Sequence, residues 1–451
     1  VTERLVELEI NDLAYDGKSV GHLDGKVTFV NGGLPGETIL AEIIKSKPRY
    51  NEARLREILK RSDMRVPPRC EHVSVCGGCT WQDLGYEHQL SFKRKQVVDC
   101  LERLGKLESV EVPDCVGSPE VFGYRNKMEF SFHVDPSGDF TLGLHERGHF
   151  DRIFDLNECH LTPDISNRLV HWVRAYIKEN KIPVYDVRAH EGYIRFVVIR
   201  LTKRTNQAML NIVTNYGNFP DQEKFVSSLR AAFPDLTTLV HNQNGSKSNI
   251  ATGEIETVLF GPGYIEENLS GSLFRIRANS FFQTNSLQAE VLYQTGFEML
   301  QPKPADRLLD LYCGTGTIGL LAAPHVERVV GVELVPAAIR SAMENAELNK
   351  VSNISFFEAN VVDFLKGVPD DLRDFTAYIL DPPRAGMHPK AVKKIVELAP
   401  PRILYISCNP ATFARDARVL VDAGYLLPKV TPVDMFPHTM HIETVGMFTR
   451  A

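Results

Sequence analysis

Four short phrases in the last third of this 451-residue chain hold the residue types that do chemistry: Asp310-Leu-Tyr-Cys-Gly-Thr-Gly316, Asp381-Pro-Pro-Arg384, Ser407-Cys-Asn-Pro410 and His441-Ile-Glu443. In the first, Gly314-Thr-Gly-Thr-Ile-Gly319 follows an apolar strand and opens a helix. Glu333 closes the next strand about twenty residues later, where an acid can hold ribose hydroxyls. A nicotinamide dinucleotide and S-adenosylmethionine (SAM) both present an adenosine to such a loop, and a plain helix–strand turn is the bland alternative. Nothing downstream resembles hydride-transfer machinery, so the remaining phrases favour SAM. Cys408 ends the apolar stretch Arg402–Ser407, and carboxyl ends of strands in such sheets face the ligand crevice. An inert buried thiol is the ordinary reading of an isolated strand-end cysteine; beside a cofactor loop, a nucleophile is favoured. Thiol, base and methyl donor are the set needed to methylate carbon 5 of a pyrimidine. Thiolate addition to C6 turns C5 into an enolate-like carbon, and a base must remove the C5 proton before the thiol leaves. Glu443 is the candidate base, flanked by His438 and His441, which could orient it or touch the substrate.

These groups need a scaffold. From about Arg275 apolar strands (Arg307–Leu311, Arg328–Val332, Ile354–Phe357, Ala377–Leu380, Arg402–Ile406) alternate with helices (Gly316–Ala323, Pro336–Asn349, Pro389–Leu398, Thr412–Ala423). Continuous apolar strands separated by helices imply a doubly wound, mostly parallel α/β sheet. Closing strands around Leu427–Val433 and Thr444–Phe448 lack a helix between them, which predicts an antiparallel hairpin at one edge. Asn285 and Gln288 have capping-box spacing, so Gln283 should lie just before a helix. Residues 275–451 are thus read as the catalytic domain. Residues 63–274 read as an α+β domain with an antiparallel sheet, whose strands include Phe122–Val134 and Tyr193–Leu201. Residues 1–62, with short strands at Leu5–Ile10, Lys26–Val30 and Thr38–Ile44 between glycine turns, read as a small OB-like β-barrel.

The net charge of −6 argues against wholesale nonspecific nucleic-acid binding, but charge is segregated. Residues 1–44 carry three Lys/Arg against eight Asp/Glu, whereas 45–69 carry nine against three. The basic stretch is an electrostatic footprint for phosphates, or equally a solvated face. No apolar run has the length of a membrane span, and Val1–Ile10 lacks the apolar core of a signal peptide. The expectation is a cytoplasmic protein without membrane attachment and without an obligate protein partner.

Eight unevenly spaced cysteines argue for metal or catalytic roles rather than a disulfide framework. Cys70, Cys76 and Cys79 form C-x5-C-x2-C around a Gly-Gly turn. Cys159 is the best remaining fourth ligand, with Cys100 and Cys115 possible from composition. Zinc and a [4Fe–4S] cluster both accept four thiolates, and spacing does not separate them firmly. A redox-active C-x-x-C lacks its thioredoxin-like context.

Taken together, these phrases resemble the RNA 5-methyluridine (uracil-C5) methyltransferase family over essentially the whole chain. Its iron–sulfur branch with an N-terminal TRAM barrel, acting on 23S ribosomal RNA in rRNA processing, fits best. The resemblance implies Cys408 as nucleophile and Glu443 as base. Asn279-Ser-Phe-Phe-Gln-Thr-Asn285 is similar to the start of that family's catalytic domain, which implies that Gln283 contacts SAM and that Phe281 packs on the target base. Tyr312, Thr317, Glu333, Asn360 and Asp381 are implied as further SAM contacts. Cys76-Gly-Gly-Cys79-x-x-Gln82 resembles the family's cluster loop and favours [4Fe–4S] on Cys70, Cys76, Cys79 and Cys159, with zinc as the alternative. Competing functions are a tRNA uracil-C5 methyltransferase, a nucleobase N-methyltransferase, and an iron–sulfur RNA-binding or redox module. The N-methyltransferase would want an aromatic where Arg384 stands and would leave Cys408 idle.

Overall fold

Strands β1 (Arg4–Leu13), β2 (Ser19–Leu23), β3 (Lys26–Asn31), β4 (Thr38–Ser46) and β5 (Tyr50–Lys60) close into a barrel in the order β1-β2-β3-β5-β4. The computed structural model describes residues 4–15, 17–135, 137–369 and 374–450. Alternation along the strands turns Leu8, Ile10, Val30, Ile39, Ala41 and Ala53 inward. Closure removes the free edges that a short sheet would expose. The alternating segments read from sequence are β1, β3 and β4. β5 is formed by the basic stretch, which looked like a charge run because charged residues interrupt its few apolar positions. Part of that charge is met internally: Arg56 pairs with Glu42 at 2.6 Å, and Arg65 with Glu37 and Asp83.

Helix α1 (Tyr86–Asp99) follows, its last turn widening over Cys100–Leu104. Then come β6 (Lys127–Val134), β7 (Phe140–His145), β8 (Ile153–Asp155), α2 (Asp164–Glu179), β9 (Ile194–Leu201), β10 (Ala208–Thr214), α3 (Gln222–Ala232), β11 (Thr238–Gln243) and β12 (Ile255–Phe260). They make a seven-stranded sheet ordered β12-β11-β10-β9-β6-β7-β8. The expected antiparallel sheet is in fact mixed: β10 and β11 run parallel, with α3 as their crossover. All eight positions of β9 are buried, the signature of a strand covered on both faces. A separate hairpin, β13 (Tyr264–Leu269) and β14 (Ser272–Arg277), leads onward.

The last part contains α4 (Ser286–Leu300), β15 (Arg307–Leu311), α5 (Thr317–Ala322), β16 (Arg328–Glu333), α6 (Pro336–Leu348), β17 (Ile354–Glu358), α7 (Val361–Lys366), β18 (Ala377–Leu380), α8 (Pro389–Leu398), β19 (Arg402–Ser407), α9 (Pro410–Asp422), β20 (Tyr425–Leu426), β21 (Val430–Val433) and β22 (Glu443–Arg450). Sheet order is β17-β16-β15-β18-β19-β22-β20, with β21 also on β22. From β15 the chain builds outward to β16 and β17, then returns to add β18 and β19 on the other side. That reversal opens a crevice at the carboxyl ends of β15 and β18. β22 runs antiparallel to β19 with Ser407 opposite Thr444, so its first residue arrives beside the end of β19. Asn285 caps α4, accepting from Gln288 N–H at 3.2 Å. The reciprocal half of the capping box is not made: Gln288 Nε2 donates instead to the carbonyls of Val116 and Gly117. Among the described residues no helix is long and apolar enough to cross a membrane.

Candidate active site

The Ser407↔Thr444 register decides the centre of the site. Cys408 and Glu443 are the next residues along each strand, so a thiol and a carboxyl separated by 34 residues of chain become neighbours across one ladder. Asn409 and Pro410 then turn the chain into α9. Asn409 Oδ1 accepts from the amides of Ala411 and Thr412, with Pro410 in the first turn, so the helix starts two residues before the expected Thr412. Asn409 Nδ2 also donates to the Arg384 carbonyl at 3.0 Å, tying the Ser-Cys-Asn-Pro phrase to the Asp-Pro-Pro-Arg loop.

A cavity of about 510 Å³ opens here, lined by Phe281, Gln283, Tyr293, Tyr312, Gly314, Thr317, Asp381, Arg384, Cys408, Phe436, His441 and Glu443, among others. Seven residues singled out from the sequence (Phe281, Gln283, Tyr312, Thr317, Asp381, Cys408 and Glu443) therefore share one cavity. Glu333 and Asn360 are not in its lining. Glu333 accepts from Gly314 N–H at 3.2 Å and from the amides of Leu334 and Val335, and Asn360 caps α7 through Val362 N–H. His441 joins the lining, whereas His438 lies buried against Phe122, with ring centroids 4.3 Å apart.

The electrostatics are those of an acidic pocket. Burial pushes Asp381 up to about 7. Burial, then the Asp381 charge, pushes Asp310 up to about 8 and Glu443 well above the ordinary carboxylate range. Burial, then Glu443 and Asp381, lifts Cys408 to about 11, while Arg384 pulls the other way. Crowded carboxyls raise one another's proton affinity, and an incoming cation relieves that crowding. A sulfonium such as SAM is such a cation.

The loop after β15 fits an adenosine-bearing ligand. A Cβ placed on Gly314 (φ +55°) would meet nothing within 4 Å, which leaves the backbone open to approach. Tyr312 holds φ +65°, a conformation costly for a non-glycine residue and typical of functional loops. Asp310 Oδ1 is buried without a hydrogen-bond partner among the described residues.

Two contributors were missed in the sequence. Tyr15, in the turn after β1, donates its hydroxyl to Asn409 Oδ1 at 2.7 Å, so the barrel reaches the catalytic phrase. An aromatic in a glycine turn gives no signal for a partner 394 residues away. Tyr293, buried on α4, lines the cavity and resembles any core aromatic in sequence.

The four cysteines sit apart from this cavity. Cys79 and Cys159 are pushed up to about 12 and about 11, by burial first and then by neighbouring thiols, Cys76 among them in both cases. The loop is pinned by Gln82, whose Oε1 accepts from Cys70 N–H at 2.6 Å while Nε2 lies 3.5 Å from Cys79 Sγ. Arg147 donates to the carbonyls of Val73 and Cys79. Asn167 holds the Cys159 amide at 2.9 Å. Buried thiols that raise one another's pKa are a donor set suited to a metal centre, although among the described residues no three His, Cys, Asp or Glu side chains close around one ion. Cys100 and Cys115 belong instead to an apolar core.

Comparisons with known proteins agree with this architecture. The family model described as tRNA (uracil-5-)-methyltransferase matches residues 85–451, and the TRAM domain model matches residues 4–55. A protein of Chlorobaculum tepidum named as an RNA methyltransferase is 41% identical, with 99% of this chain and 96% of that protein covered. One of Caldanaerobacter subterraneus, similarly named, is 38% identical with 99% of both covered. The crystal structure of Pyrococcus abyssi tRNA (uracil-54, C5)-methyltransferase in complex with S-adenosyl-L-homocysteine superposes with a TM-score of 0.80 at 32% identity, covering 98% of this chain and 100% of that one. With an α/β methyltransferase fold behind a five-stranded TRAM barrel, the chain belongs to the tRNA (uracil-5-)-methyltransferase family.

Proposed function

We propose that this protein methylates carbon 5 of a uridine in RNA, with Cys408 as nucleophile and Glu443 as base. The observation that carries the reading is that Cys408 and Glu443, each one residue beyond the Ser407↔Thr444 pair, line one cavity with the glycine loop. The Cys408 sulfur adds to C6 of uracil, and the C5=C6 electrons move onto the C4 carbonyl oxygen. SAM held in the cavity would supply the electrophilic methyl group that C5 takes up, the S–CH3 bond pair staying with sulfur as S-adenosylhomocysteine leaves. Glu443 then accepts the C5 proton, C5=C6 reforms, and the S–C6 bond breaks to return the thiolate. Arg384, which lowers the Cys408 pKa, favours the thiolate at the start and at the end. Gln283, Tyr312, Thr317 and Asp381 form the SAM side of the cavity. Glu333 and Asn360 act from behind it by shaping the backbone. Phe281, 68% exposed at the cavity mouth, is placed for a flipped base to stack on.

Cys70, Cys76, Cys79 and Cys159 hold a [4Fe–4S] cluster in this reading. The buried thiols raise one another's proton affinity, and the Cys76-Gly-Gly-Cys79-x-x-Gln82 phrase, which resembles the family's cluster loop, favours the cluster over zinc. Methyl transfer as drawn needs no electron from it.

The first substrate to test is 23S rRNA. Transfer RNA is the second reading, favoured by the Pyrococcus abyssi tRNA enzyme, which aligns with nearly the whole chain, barrel included. The deciding experiment is tritium release from RNA labelled at uridine C5, with SAM, on unmodified 23S rRNA, 16S rRNA and tRNA separately. Release from one RNA supports C5 chemistry and names the substrate class. Methyl incorporation without tritium release overturns the Cys408 mechanism.

A further inference from the structure

The four-cysteine loop and the segment leading to Glu443 meet on one buried amide. Gln89, fully buried on α1, donates from Nε2 to the carbonyls of Trp81 at 3.0 Å and Leu84 at 2.8 Å. The same Nε2 lies 3.2 Å from His438 Nδ1, and Oε1 accepts from His438 N–H at 2.8 Å. The chain immediately after Cys79 closes the circuit. The amides of Thr80 and Trp81 both donate to the His438 carbonyl, at 2.9 and 3.0 Å. His438 is thus gripped by its amide, its carbonyl and its ring, and it holds φ +67°. A non-glycine residue keeps that conformation only where its surroundings over-determine it. One turn along α1, Lys93 adds a second tie, donating to Asp434 Oδ1 at 2.5 Å and the Phe436 carbonyl at 3.1 Å.

We propose that the four-cysteine loop, acting through Gln89, sets the position of the catalytic base, and that Gln89 is a positioning residue for removal of the C5 proton. The inference rests on the reading of Glu443 as that base. Among the described residues those between β21 and β22 form no ladder of their own; Tyr124 and Asn285 hold the carbonyls of Pro437 and Met435, and His438, nearest to Glu443 of these, is held by α1 and the loop behind Cys79. Cys408 lies away from this segment, held by β19 and by the Asn409 cap of α9, whereas Glu443 follows it directly as the first residue of β22, opposite Val433. Loosening the Gln89 junction therefore separates the two halves of the reaction. Sulfur addition to C6 and methylation of C5 persist, while proton removal slows. With the proton retained, C5=C6 cannot reform, the S–C6 bond stays, and methylated RNA remains attached to Cys408.

The test compares Gln89→Leu, which keeps the volume and loses every hydrogen bond, with Gln89→Glu, which keeps an acceptor for His438 N–H and loses the donors. In the holoprotein, hydrogen–deuterium exchange over residues 434–442 should quicken about tenfold in Gln89→Leu and less in Gln89→Glu, with residues 312–317 unchanged. Ligand loss by Cys79→Ser should quicken the same segment. In single turnovers with methyl-labelled SAM and a uridine RNA, the SDS-resistant labelled complex per methyl transferred should rise about tenfold in Gln89→Leu and vanish when Cys408→Ser is added. Unchanged exchange over 434–442, or methyl transfer and complex falling in proportion, overturns the proposal. If Gln89→Leu exchanges everywhere, the Gln89→Glu variant decides by the same two criteria. Exchange as expected, but no methyl transfer by the unaltered protein on any uridine RNA, overturns the reading of Glu443 as base and with it the positioning role.

Discussion

Cys408 and Cys79 both hold their protons tightly, Cys408 up to about 11 and Cys79 up to about 12, and burial leads in each case. Their neighbours differ. Cys408 faces two carboxyls and the cation of Arg384 at the wall of a cavity. Cys79 faces other thiols, relieved by the amide of Gln82. A thiol with a base beside it and open space before it can give up a proton, form a bond and be released. Thiols packed against one another become comfortable as thiolates only when a shared cation neutralises them together. In the proposed reading one site turns over and the other ligates permanently.

Loss of each thiol should have a different consequence. Cys408→Ala is expected to lower tritium release by at least about 10³-fold with metal content unchanged. Cys79→Ser is expected to lose iron, measured by elemental analysis, and on the order of 3 kcal/mol of stability, measured by denaturant unfolding. Iron retained in Cys79→Ser, or activity retained in Cys408→Ala, would erase the distinction.

Acidity sharpens it next. Because Cys408 is raised, kcat/KM should climb through the neutral range toward alkaline pH, and Arg384→Met should move that limb to higher pH, since Arg384 lowers the thiol. An unmoved limb would remove Arg384 from the activation of Cys408.

Asp381 provides a test on stability. Its carboxyl keeps its proton to about 7 in the folded protein, above its unfolded value, so its contribution is fully present below the unfolded pKa and is lost as pH rises through about 7. Asp381→Asn should therefore be more stable than the parent at pH 8, by on the order of 2 kcal/mol after screening by water in the cavity, and equal to it in acid. Thermal unfolding at the two pH values checks this, and calorimetry should show weaker SAM binding in the variant. The smallest effect is expected from Tyr15→Phe, which removes one hydrogen bond worth about 1 kcal/mol and should raise KM for RNA several-fold with kcat nearly unchanged.

Much of the catalytic sheet was legible because its signals are local. Ala377–Leu380 and Arg307–Leu311 are apolar runs of strand length, Pro336 and Pro389 mark first turns, and Asn285 caps the helix it precedes. The barrel was legible only in part, because β5 spreads its charges over an outer face and reads as a phosphate footprint or a solvated face. Helix α1 hides its buried face altogether: Gln89, Lys93 and Gln96 are inside, each a polar residue that periodicity assigns to solvent. Gln89 and Lys93 find partners in the cysteine loop and in the segment from Asp434 to His438, most of them distant in the chain, whereas the Gln96 amide has no hydrogen-bond partner among the described residues.

The chemical kinds of group, a thiol at a strand end, a glycine turn after β15 and three clustered cysteines, were therefore already written in the order of residues, since reactivity belongs to a side chain and its immediate neighbours. Which groups meet was decided by the fold. Glu443 reaches Cys408 because β22 inserts antiparallel beside β19, Tyr15 reaches Asn409 because the barrel docks on the catalytic sheet, and His438 is buried rather than exposed because α1 offers it an amide. Proximity of this kind follows from strand order and burial across hundreds of residues, and no local pattern carries it.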